Sequence, residues 1–167
     1  MEEHTVKFDA DEWRRWFDGS FFERDEAVEV FKGESSALSR DELFQLAERV
    51  AEAGYNVPDL KKLWLAVYAW GGGVGATGYR ARVSARLAFF DTRFDESMRL
   101  TIQRLSSDDL AGAYSAIDPV IGAGEGFFTK FLYFVAKPGS ADRLPLIYDE
   151  QMRRALQGLL GKRWALP

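Results

Sequence analysis

Pro119-Val120-Ile121-Gly122-Ala123-Gly124-Glu125-Gly126-Phe127-Phe128-Thr129-Lys130-Phe131-Leu132-Tyr133-Phe134 is a glycine turn that opens an apolar helix. Gly122 and Gly124 flank one small residue, Ala123, and glycine reaches positive φ and close backbone approach without penalty. Phe127, Phe128, Phe131, Leu132 and Phe134 recur at helical spacing, which predicts a buried helix whose rings are core rather than base-stacking groups. Ile117 and Ile121 complete the end of a preceding helix. The pattern is helix, glycine turn, helix. Such a turn points backbone N–H groups outward at a helix N-terminus, where anions and phosphate bind. A Gly-x-Gly before a helix is a weak signal alone, because plain turns use glycine too.

Downstream, Lys137-Pro138-Gly139-Ser140 is loop punctuation. Leu144-Pro145-Leu146-Ile147-Tyr148 runs in extended form to Asp149, which stands where a helix N-cap belongs, before Glu150 to Leu156. Capping is the commonest reason for an aspartate there, and chemistry is the alternative.

Together these residues resemble the helix-hairpin-helix DNA glycosylases, which include the 8-oxoguanine DNA glycosylases. The match lies in Gly122, Ala123, Gly124 and Asp149. The run Gly-x-x-Phe-Phe-Thr-Lys-Phe-Leu-Tyr-Phe and the upstream Tyr68-Ala69-Trp70-Gly71 look most similar to small bacterial proteins of that 8-oxoguanine glycosylase fold. The resemblance implies a hairpin that grips double-stranded DNA through backbone amides, often with a bound cation there, and an aspartate that serves excision. It implies no other cofactor. Bifunctional members carry a lysine two residues after the second hairpin glycine, and that position is Gly126 here. Simple base removal without strand cleavage is therefore expected. Lys130 lies one helical turn later, about 5 Å along the axis. It is read as a surface or phosphate-contacting lysine ahead of a nucleophile, since geometry comes first for catalytic groups.

Further upstream, Asp9 to Phe17 reads as a helix ending at Gly19, and Phe21 to Lys32 as a second closed by Gly33. Ser39-Arg40-Asp41-Glu42 has the form of a capping box and starts a helix to Gly54. Pro58 opens a hydrophobic helix to Trp70, with Leu60, Leu63, Trp64, Val67 and Tyr68 on its buried face. Gly71 to Gly78 lacks the lysine and hydroxyl pair of a nucleotide-binding loop. It reads first as a flexible connector, and second as a loop that lets DNA or a base approach. Arg82 and Arg86 are four apart and share a helix face, which Arg80 and Arg93 extend. That face is either ordinary solvated surface or a set of phosphate contacts. Two more helices, Asp95 to Leu105 and Ser107 to Ile117, follow. Strand signals are sparse, so the expected fold is all-α, one domain over residues 1–167.

Composition narrows the chemistry. The 167 residues are 47% hydrophobic and contain no cysteine, which excludes disulfides, an iron–sulfur cluster and a thiolate metal site. The single histidine, His4, falls where a tail is expected, so neither a histidine dyad nor a metal site is predicted. No apolar run reaches the ~20 residues of a membrane span. The acidic start Met1-Glu2-Glu3-His4 lacks a signal peptide's features. A cytoplasmic monomer is expected. The net charge of −4 counts against nucleic acid, yet the acids crowd the first sixty residues and the bases come later.

The candidate assignments are Asp149 and Lys130 for catalysis; Gly122, Ala123, Gly124, Gly126, Lys130, Arg82 and Arg86 for DNA; and Trp70, Tyr79 and Tyr148 for a base pocket. The expected activity is hydrolytic removal of a damaged or modified base. The alternative is a duplex-binding module of the same fold that has lost the chemistry.

Overall fold

A computed structural model describes residues 4–17, 37–120, 122, 124–136, 138 and 145–160. The proposed helix from Phe21 to Lys32, Gly33, and the hairpin residues Ile121 and Ala123 lie outside the described residues.

Eight helices are described, with one small sheet. The helices are α1 (Ala10–Phe17), α2 (Arg40–Glu52), α3 (Val57–Gly72), α4 (Gly75–Phe90), α5 (Phe94–Ser106), α6 (Leu110–Ile117), α7 (Glu125–Ala136) and α8 (Glu150–Leu160). Strands β1 (Thr5–Lys7) and β2 (Ala37–Ser39) pair antiparallel, Val6 opposite Leu38. The all-α class expected from the sequence is the class observed. No described helix is long and apolar enough to cross a membrane.

The helix starts follow local chemistry. Ser39 accepts from the Glu42 N–H at 3.1 Å while the Glu42 carboxylate accepts from the Ser39 N–H at 2.7 Å, a complete capping box. Asn56 caps α3 through the Asp59 N–H at 3.0 Å, and Pro58 stands in the first turn. Gly54 takes φ +74 just past α2, the left-handed conformation glycine supplies there.

α3 is the axis of the core. Every residue from Leu63 to Trp70 is buried, so this helix is covered all round rather than on one stripe. Trp64 stacks on Tyr68 at 4.7 Å and meets Phe94 and Phe131 edge-on at 5.3 and 5.1 Å. Tyr68 in turn stacks on Phe127 of α7 at 4.5 Å. Phe128, Phe131 and Phe134 are buried, which confirms them as core.

The glycine segment after Trp70 differs from the expected connector. α3 runs on to Gly72 and α4 begins at Gly75. A Cβ on Gly72 would stand 2.3 Å from the Ala81 Cβ, and one on Gly78 would stand 2.5 Å from the Gly73 carbonyl oxygen. These two glycines let α3 and α4 cross in contact.

Candidate active site

Lys130 and Asp149 meet at one open cleft. The described residues that line it come from the N-terminal segment (His4, Val6), from Arg40 on α2, from Trp70 to Gly73 at the end of α3, and from Lys130 on α7; Ile147, Asp149, Gln151, Met152 and Ala155 complete it. Its volume is ≈ 630 Å³, within the range of small-molecule sites.

Asp149 divides its carboxylate between two tasks. Oδ1 accepts from the N–H groups of Gln151 and Met152, both at 3.1 Å, and so caps α8. Oδ2 faces the Lys130 Nζ at 3.4 Å. Partial burial works to raise the Asp149 carboxyl. The Met152 N–H, the charge and hydrogen bond of Lys130, and the Gln151 N–H outweigh it and hold the group below its ordinary value. The aspartate is therefore ionised at neutral pH.

Lys130 is placed differently from a surface lysine. Its side chain is only 12% exposed. The ammonium donates to the Gly126 carbonyl oxygen at 2.9 Å and stands 5.6 Å above the Phe127 ring. Its stem runs beside Gly71, where a Cβ would lie 3.2 Å from the Lys130 Cδ. A Cβ at Gly126 would be 3.9 Å from the Asp149 Cβ. The position that lacks the lysine thus faces Asp149, and the lysine one turn later folds back to its carbonyl.

The loop reaching Asp149 is tied to the same helix. The Thr129 hydroxyl donates to the Glu125 carbonyl at 2.6 Å and accepts from the Tyr148 N–H at 3.0 Å. Thr129 is 3% exposed, so this buried bond fixes the entry to α8.

The glycine turn joins α6 to α7. Gly122 has φ +85, and a Cβ there would lie 2.4 Å from the Ser84 carbonyl oxygen of α4. The Tyr68 hydroxyl donates to the Gly122 carbonyl at 3.2 Å. Gly124 has no positive φ and nothing within 4 Å of a Cβ. Positive φ, expected at Gly124 as one reason for the residue, belongs to Gly122; Gly124 offers open space instead.

The two arginines do not form one solvated face. Arg82 is 7% exposed and pairs with Glu12 of α1 at 3.6 Å. Arg86 donates to the Trp16 carbonyl at the end of α1 and stacks over Phe90 at 5.4 Å. Both hold α1 against α4. Apart from Arg82, the buried residues of α4 are Gly78, Ala81, Ala85 and Ala88, too small to mark the face by hydrophobicity. Arg93 is engaged by Asp91 through two bonds of 2.9 and 2.7 Å.

Of the three proposed base-pocket aromatics, Trp70 alone lines the cleft. Tyr79 is 54% exposed on α4 and meets Trp16 edge-on at 5.5 Å. Tyr148 is half-buried and held by its N–H to Thr129. His4 is no tail residue. Its carbonyl accepts from the Arg40 N–H at 3.2 Å and from the Trp70 Nε1 at 3.4 Å, and its ring meets Trp70 edge-on at 5.4 Å. Strand pairing between distant segments puts His4 and Arg40 at the cleft, and no local sequence signal announces it. Among the described residues no cluster of His, Asp and Glu could hold a metal ion.

Residues 1–166 match the family described as "Putative 8-oxoguanine DNA glycosylase OGG-like protein". No curated protein and no solved structure matches the chain.

Proposed function

Since the chain belongs to this OGG-like glycosylase family, we propose that it is a DNA N-glycosylase that removes a damaged or modified base at the Lys130–Asp149 cleft. The observation that carries the reading is the divided Asp149 carboxylate. A pure cap would use its oxygens on the helix alone, whereas Oδ2 is turned to an ammonium beside an open cleft. The residues act as follows. The target nucleotide leaves the stack and enters the cleft. The turn at Gly122 and Gly124, with the Glu125 and Gly126 N–H groups at the start of α7, anchors a backbone phosphate of the duplex. As the N-glycosidic bond breaks, the sugar becomes cationic, and the ionised Asp149 stabilises it or orients the attacking water. The test is an excision assay on a panel of lesion-bearing duplexes beside a binding assay. Excision of at least one base is expected. Binding without excision makes the chain a duplex-binding module; the absence of both binding and excision overturns the reading.

A second reading concerns Lys130 and is favoured by its bond to the Gly126 carbonyl and its place beside Asp149. In this reading the Lys130 amine passes its proton to Asp149 and attacks the sugar C1′ as the base departs, and the C1′–O4′ bond then opens, with O4′ taking a proton, to leave an iminium at C1′. The resulting covalent iminium is trapped by borohydride. A Lys130-dependent covalent adduct would establish the nucleophile; excision without any adduct leaves Lys130 to position Asp149, in line with simple hydrolysis.

A further inference from the structure

Arg40 is a cation with an unused fork. Its guanidinium lies 5.9 Å from the Trp70 ring centre and 6.0 Å from that of Tyr133. Contact with two aromatic faces holds the group through cation–π attraction and stacking, without occupying its five N–H donors. Among the described residues no carboxylate or carbonyl takes those donors. The side chain is exposed and lines the same cleft as Lys130 and Asp149. Its backbone is fixed independently: Ser39 and Glu42 lock the helix start, and the Arg40 N–H is held by His4. Most other surface arginines here are spent on neighbours, as Arg93 is on Asp91 and Arg153 and Arg154 are on Glu150.

We infer that Arg40 is the specificity-determining residue of the cleft, selecting a base that presents a keto oxygen over its amino counterpart. The inference rests on the glycosylase reading above. An arginine can only donate. A keto edge accepts from it, whereas an exocyclic amino group would place two donors face to face and leave both unpaired. The Lys130 ammonium lines the same cleft and is likewise donor-only, and the Asp149 carboxylate is assigned to the sugar.

The test compares purines that differ at one position. Binding is measured for duplexes carrying a single mispaired hypoxanthine or adenine, and 8-oxohypoxanthine or 8-oxoadenine, each pair differing in the C6 keto or amino group. Wild type should prefer the keto member of each pair by about tenfold, the size of one good arginine contact to a base. Arg40→Ala should reduce that preference to near unity while it melts like wild type, because the side chain is exposed. Arg40→Lys should recover only part of the preference, since a lysine lacks the planar fork. A preference that survives Arg40→Ala, or none in wild type, overturns the inference while leaving the glycosylase reading standing. If Arg40→Ala weakens all duplexes alike and lowers the salt slope by about one, Arg40 is a phosphate contact and the inference fails. Absence of duplex binding at low salt overturns both.

Discussion

At the scale of single residues, Asp149 carries the sharpest prediction. Asparagine caps a helix about as well as aspartate, and the cap uses only Oδ1. Asp149→Asn should therefore leave α8 and duplex binding intact while excision slows about a hundredfold or more, the usual loss for one well-placed electrostatic group. Single-turnover excision beside a binding curve decides it; equal rates would make Asp149 structural. The same substitution has a pH signature. Because the folded carboxyl is held below its ordinary value, its stabilising contribution is fully present above that ordinary value and is lost as pH falls through the folded pKa. Wild type should exceed Asp149→Asn in stability at neutral pH by no more than about 1 kcal/mol, as for a partly exposed pair. That gap should close in acid melts below pH 3.8. Gly122 and Gly124 make a second contrast. Gly122→Ala drives a Cβ to 2.4 Å from the Ser84 carbonyl at φ +85 and should cost about 1–3 kcal/mol in a thermal melt. Gly124→Val meets open space, so it should fold normally and lose duplex affinity by blocking phosphate approach. Normal binding by the valine variant would reduce the hairpin to a turn.

At the scale of elements, the crossing of α3 and α4 decides where the cleft wall stands. Gly71, Gly72 and Gly73 form part of that wall, and Gly72 and Gly78 keep the two helices in contact. Gly78→Ala should push the Gly73 carbonyl, 2.5 Å from the new Cβ, out of place. Helix propensity alone would favour alanine by about 1 kcal/mol, so the sign of the change separates the two effects. A lowered melting temperature is expected, and a raised one would show that the crossing has slack. The sequence made the glycines visible but hid their purpose. A run of glycines reads as a flexible tether until its neighbours in space are known. The capping box at Ser39 and the cap at Asp149 were legible for the opposite reason: their partners lie within three residues.

At the scale of the whole molecule, an acidic chain with a net charge of −4 is proposed to bind a polyanion. Phosphate contacts release counterions, so duplex affinity should fall steeply between low and physiological salt. Salt-independent binding would remove phosphate anchoring from the proposal. The sequence by itself determined the all-α class, the buried phenylalanine helix, the glycine turn and the aspartate at a helix start. Each is a matter of periodicity or of partners a few residues apart, and these survive any packing. Only the tertiary structure decided the side-chain roles. Arg82 is buried against Glu12 of α1, and Arg86, though exposed, reaches back to the Trp16 carbonyl, because α4 buries a face of alanine and glycine that carries no hydrophobic mark. Lys130 folds back to the vacant side of Gly126 because Gly71 leaves room for its stem. His4 and Arg40 reach the cleft through a strand pairing that joins distant segments. Burial and ion pairing depend on which surfaces meet, and that is set by the summed packing of helices around Trp64 and Tyr68 rather than by any local run of residues.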